Sequence, residues 1–255
     1  MSTGRLAKVC VLLATCLSAR AALGQQGGSG RATRAALQLA VKAVNDFSFH
    51  GVGAVDALLA LGRQERIPLA IESVDLPFAS RPVSIDVKDA TVGALLNIIL
   101  AGSRGYRWAI RDGVVHVTNR LDPPAHGSLL DRTIPSFRIG RVWLTEADRE
   151  LSTALAFAIS PRSGGVAGDY PGFSLHHPVG PLTLRNQPVW AILDALIKFP
   201  PGGAWVAMVP PRYLGQWHGE MWKVFGYDPE NFQYLSTTLR YSLRDYPVQA
   251  PGIMR

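Results

Sequence analysis

The sequence predicts an α+β fold: two small repeated modules of strand-helix-strand and strand-helix-hairpin type, with short mixed sheets, and an aromatic-rich C-terminal tail. Three observations predict it. Residues 83–117 read as strand, capped helix and hairpin; the same unit returns 97 residues later without a gap; and past residue 210 the apolar periodicity gives way to aromatics scattered among polar residues.

In the first unit Val83, Ile85 and Val87 alternate with Ser84, Asp86 and Lys88, the period-two pattern of a half-buried strand. Asp89 is the expected helix cap, since its carboxylate can accept from the orphan N–H groups of a first turn, and Val92, Leu95, Leu96 and Ile99 form one apolar stripe. Ala101 and Gly102 end the helix. Tyr106, Trp108 and Ile110 then alternate with Arg107, Ala109 and Arg111. Asp112-Gly113 is a two-residue turn, from which residues 114–118 run back.

At the constant offset Ile85 matches Leu182, Asp89 matches Asn186, Val92 matches Val189, Leu96 matches Leu193 and Asn97 matches Asp194. Gly105 matches Gly202 and Trp108 matches Trp205. A cap, an apolar stripe, a glycine and a tryptophan in register mark two copies of one domain, with both tryptophans expected in the core.

From the start of the chain, Arg5 and Lys8 precede an apolar run, residues 9–17, and small residues follow, as in a secretory signal peptide cleaved near Gly24. The run is too short to span a bilayer. The expected organisation is therefore 1–24 signal peptide, 25–45 linker with a short helix, 46–120 first module, 121–131 linker, 132–210 divergent second module, and 211–255 aromatic-rich extension. Within the first module a helix carrying Val55, Leu58 and Leu59 runs to Pro68, residues 69–71 form a strand, and residues 72–82 are a loop. Residues 121–130, with Pro123, Pro124 and Gly127, separate the modules. In the second module Thr145 is the expected N-cap of a helix bearing Leu151, Leu155 and Ile159, and residues 173–175 are expected as a strand. Tyr213, Trp217, Trp222 and Tyr227 belong to the extension, where such aromatics either stack on a ligand or pin the tail to the protein's own surface.

Composition excludes several functions. Both cysteines, Cys10 and Cys16, fall in the signal peptide, so the mature chain has no disulfide and no thiol chemistry. Loss of Arg5, Lys8 and Arg20 lowers the formal charge from +7 by three to +4, and the basic residues form no run, which disfavours nucleic acid as a partner. No hydrolase, metalloprotease or nucleotide-binding motif is present, and no catalytic residue, metal or cofactor is expected. His176-His177 is read as a solvated loop pair, because neighbouring strand residues point to opposite faces. His50, His116 and His218 are isolated. Glu72 and Asp75, like Glu146, Asp148 and Glu150, are read as turn and helix-start acids.

The first module resembles the short secretin and TonB N-terminal domain. The resemblance runs from Phe47 through Asp56-Ala57-Leu58-Leu59, Ile67-Pro68-Leu69-Ala70-Ile71, Val83-Ser84-Ile85-Asp86-Val87, Ala94-Leu95-Leu96 and Tyr106-Arg107-Trp108 to Val115-His116-Val117. It covers about seventy to eighty residues, with the second copy a weaker match. No receptor barrel or secretin core follows in the sequence. The resemblance implies an envelope-exposed, non-catalytic docking protein that binds another envelope protein, and the signal peptide makes a secreted or periplasmic location the expectation. Small open sheets leave an edge with unpaired N–H and C=O groups, so strand addition is the expected mode. Arg107, Arg111, His116, Trp217 and Trp222 are the candidate partner-binding residues. The alternatives are a cell-wall or glycan binder that uses the aromatic tail, and an envelope hydrolase whose residues converge from distant segments.

Overall fold

A computed structural model describes residues 30–74, 76–119, 129–159, 177–208 and 221–227. Helix α1 (Gly30–Ala40) leads into β1 (Ala43–Gly53), α2 (Ala54–Glu65), β2 (Leu69–Val74), the short α3 (Leu76–Ser80), β3 (Pro82–Thr91), α4 (Val92–Leu100) and the hairpin β4 (Tyr106–Arg111) and β5 (Val114–Asn119). A 3-10 turn (Leu129–Asp131) opens the second half. It continues through β6 (Thr133–Ile139), β7 (Val142–Trp143), α5 (Leu144–Ile159), β8 (Pro178–Val179), β9 (Leu182–Pro188), α6 (Val189–Ile197), β10 (Gly203–Met208) and β11 (Met221–Gly226). The fold is α+β, made of strand-helix-strand units.

The repeat is exact in the backbone over its best-matched part. Helices α4 and α6 both begin 97 residues apart, and β4 and β10 coincide end to end at that offset. Asp89 and Asn186 share left-handed φ angles of 53° and 51°, and Gly105 and Gly202 share φ angles of 87° and 101°. Both hairpins keep one register: Tyr106 pairs with Asn119 and Arg111 with Val114, as Gly203 pairs with Gly226 and Met208 with Met221. The second hairpin simply has a longer connection. Its return strand β11 therefore lies within the stretch assigned from sequence to the extension.

Each copy makes its own antiparallel strand pair, β1 with β3 and β6 with β9, and β7 pairs with β8 in the second copy, but the other five strands merge. The order of this five-stranded sheet is β11-β10-β2-β5-β4, with β10, β2 and β5 mutually parallel and an antiparallel strand at either edge. The join between copies is the parallel pairing of β10 with β2. Alternation assigns the two faces. Leu69, Ile71, Val115, Val117, Ala204 and Val206 belong to one core with α2 and α4. Ala70, Val114, Trp205, Ala207 and Val224 belong to the other with α5 and α6. The helices are covered on their far sides by β1–β3 and β6–β9, which gives five layers: strand pair, helices, shared sheet, helices, strand pair. A sheet buried on both faces explains the unbroken apolar runs of its inner strands.

Several expectations need correction. The cap of α4 is Thr91, whose hydroxyl accepts from the Ala94 N–H at 3.2 Å, and Asp89 is a left-handed residue inside β3. Thr145 lies within α5, and the chain end of that helix is held by Glu146, whose carboxylate accepts from the Trp143 N–H at 3.0 Å. The stretch expected as a loop holds the end of β2 and all of α3, because Phe78 is drawn into the core, where it stacks on Tyr106 with ring centroids 3.7 Å apart. Trp205 is fully buried, but Trp108 is only half-buried, since β10 is interior to the sheet and β4 is its edge. His177 is buried rather than solvated, its ring lying against Gly226. Residues 173–175, His176, His218, Tyr213 and Trp217 lie outside the described residues.

Candidate functional site

One row of residues crosses all five strands of the shared sheet: Val224, Trp205, Ala70, His116 and Ala109 are successive pairing partners. Their side chains face α6. Ala70 is small, so the larger Trp205 and His116 on either side both reach over it toward Asp194 of that helix. The indole N–H of Trp205 donates to Asp194 Oδ1 at 2.9 Å, and His116 Nε2 lies 3.0 Å from Asp194 Oδ2. Glu72, two residues along β2 from Ala70 and on the same face, places Oε1 2.8 Å from His116 Nδ1. An imidazole from the first copy is thus clamped between a carboxylate of its own module and one of the other.

His116 is 1% exposed and Asp194 3%, whereas the Glu72 side chain keeps 23% of its surface. Burial alone pulls the imidazole pKa down. The hydrogen bonds to Asp194 and Glu72, together with their charges, outweigh it, and the pKa is raised above its ordinary 6.5. Trp190 and Trp205 meet the His116 ring edge-on, at centroid separations of 6.3 and 6.2 Å. Arg111 closes the outer side, its guanidinium 4.5 Å above the Trp190 ring, a cation–π contact. Both imidazole nitrogens are committed to carboxylates, so the cluster as built holds the two copies together and presents neither nitrogen to a substrate.

The repeat explains the origin of this arrangement. In the first copy the Trp108 indole N–H donates to Asn97 Oδ1 at 2.8 Å, the same helix-to-strand bond across the same spacing. An amide suffices there, where the site is exposed. In the second copy an aspartate replaces it, which keeps the bond to tryptophan and gives His116 the other oxygen.

The sequence-predicted candidates separate. His116 and Arg111 join the buried cluster, the second through Trp190. Arg107 stands exposed on the edge strand β4. Trp222 lies on β11, where its indole N–H donates to the buried Asp148 at 2.9 Å, so this acid is fixed by a tertiary contact rather than serving only at the helix start. Tyr227, another aromatic of that stretch, is buried in the first core, and its hydroxyl donates to the Ile67 carbonyl at 2.7 Å. Sequence reasoning missed Glu72, Asp194 and Trp190. The available signal was Asp194 itself, an acid among the otherwise apolar Ile192, Leu193, Leu196 and Ile197, matched to Asn97 by the repeat. His50 is not isolated: its Nε2 lies 3.0 Å from Ser48 Oγ on an exposed strand face.

Among the described residues no cluster of three or more histidine, cysteine or acidic side chains is arranged to hold a metal, and no helix is long and apolar enough to cross a membrane. Comparison with family models, curated proteins and solved structures finds no match.

Proposed function

We propose that this chain is an exported, non-catalytic docking protein of the cell envelope, which binds another envelope protein through a sheet edge. The observation that carries this reading is the parallel pairing of β2 with β10: this module associates with another of its kind by joining edge strands, with burial of both sheet faces completing the contact. The signal-like N-terminal sequence supports export, and the resemblance of the first module to the short secretin and TonB N-terminal domain supports docking. The use of both His116 nitrogens in joining the copies supports a structural role for the most buried polar cluster. Trp222 and Tyr227, which bond to the protein itself, favour attachment of the aromatic stretch to the body over its use as a glycan platform.

Cross-linking of the tagged mature protein in its own cells, followed by mass spectrometry, tests the proposal. A discrete envelope protein, lost when a module edge is altered, is the expected capture. Wall fragments alone, or no capture, overturn the docking reading.

A further inference from the structure

Strands β4 and β10 are equivalent, residue for residue, yet they stand in different places. The edge of β10 that faces away from its hairpin partner takes β2 as a parallel neighbour, with Ala204 opposite Leu69, Trp205 opposite Ala70 and Val206 opposite Ile71. The corresponding edge of β4 has no strand neighbour among the described residues. An interface that joins two different edges of a repeated unit is heterologous, so it leaves a copy of one of its surfaces unused at the end of the array. Among the described residues that unused surface is β4.

We infer that the outer edge of β4 is a docking site for an extended segment running parallel to it, with an acidic residue opposite Arg107 and a small one opposite Trp108. This rests on the docking reading above and names its surface and the chemistry of its partner. The register follows from the equivalence: Arg107 stands where Ala204 meets Leu69, and Trp108 where Trp205 meets Ala70. The charge follows from the differences between copies. Ala204 is completely buried against β2 and the first core, whereas its counterpart Arg107 is exposed, as is Arg104 just ahead of the strand. A partner with an apolar residue there would bury or displace a guanidinium; a carboxylate would pair with it. The same charge keeps β4 from indiscriminate edge pairing, a common device on exposed strands. Among the described residues helix α1, which packs against α4 and β4, is the element placed to close the edge; the described part of the second copy has the short 3-10 turn before β6.

Hydrogen exchange read by mass spectrometry on the mature chain tests the inference. The probe is the acetylated, amidated octapeptide IPEAIESV, which copies residues 67–74 with glutamate at the position of Leu69. Its counterpart IPKAIESV carries lysine there. In the free chain the amides of residues 106–111 should exchange faster than those of 203–208. IPEAIESV should protect residues 106–111 and bind about tenfold more tightly than IPKAIESV, and Arg107→Glu, at an exposed position that leaves the fold intact by circular dichroism, should reverse that preference. Equal protection of the two strands in the free chain means that the edge is already closed. That result, no protection by IPEAIESV at millimolar peptide, or a preference unmoved by Arg107→Glu overturns the inference. Failure of this edge leaves the docking reading standing if cellular cross-linking still captures an envelope protein; failure of both removes docking altogether.

Discussion

His116 Nε2 lies 3.0 Å from Asp194 Oδ2, and this contact ties the last strand of the first copy to the helix of the second. The stability of the joined molecule is therefore linked to the protonation of one buried imidazole. Because the folded-state pKa is raised above 6.5, the folded protein holds this proton more tightly than the unfolded chain does. The contribution is fully present below the unfolded value and is lost as pH rises through the folded one. Urea or thermal melts between pH 6 and 9 should show a falling midpoint as pH rises. His116→Gln should lower stability at pH 6 by about 3 kcal/mol, the usual consequence of leaving a buried carboxylate without its partner, and should flatten the profile. A wild-type midpoint that is constant or rising over this range contradicts the linkage.

Asp194→Asn gives the second copy the residue that the first copy uses at Asn97. Its side-chain oxygen still accepts from Trp205, so that bond survives, while the charge facing His116 is gone. The expected loss is about 1–2 kcal/mol, smaller than for His116→Gln. The His116 pKa should fall, which NMR titration of the ring carbons would detect, and the pH slope should shrink without vanishing because Glu72 remains. An unchanged titration would place the control of His116 elsewhere.

The sequence made the parts legible more readily than their union. The periodicity of Val92, Leu95, Leu96 and Ile99, and of Tyr106, Trp108 and Ile110, reflects local burial, so helices and hairpin strands could be placed and the repeat recognised. The pairing of β2 with β10 has no such local signature, since each is a short apolar strand with its partner over 130 residues away. The continuous apolar character of residues 204–207 was the sign of a strand covered on both faces. His116 was visible only as an isolated histidine because its partners, Glu72 and Asp194, lie on other strands and helices. Asp89 departs from the expected cap for another reason: a left-handed residue two positions before Thr91 carries the chain into the helix, and sequence alone does not separate such a bend from a cap.

The two tryptophans should respond unequally to the same substitution. Trp205→Phe removes the N–H that satisfies Asp194 Oδ1 in a fully buried site, with an expected cost of about 2–3 kcal/mol from the unsatisfied acceptor and lost contacts. Trp108→Phe breaks the equivalent bond to Asn97, but Asn97 is exposed and water replaces the donor, so the change should cost about 1 kcal/mol or less. Denaturant melts of both variants decide the point. Equal costs would mean that the buried row around Ala70 contributes nothing beyond the bond itself.

Tyr227 and Gly62 connect the end of β11 to the first core from the opposite side of the sheet. The hydroxyl bonds to the Ile67 carbonyl, and a methyl group at Gly62 would fall on the tyrosine oxygen, with the ring carbon that bears it 3.0 Å away. Burial also pushes the hydroxyl pKa far above its ordinary range, which favours the neutral form that donates this bond. Tyr227→Phe should cost about 1–2 kcal/mol by leaving the carbonyl unsatisfied. Gly62→Ala should cost more, because it must displace the tyrosine, and the pair should be strongly non-additive: once the oxygen is gone, the added methyl has part of the space it needs. A coupling of about 1 kcal/mol or greater in a double-mutant cycle is expected. Additive costs would show that residue 62 and residue 227 do not share one packed site.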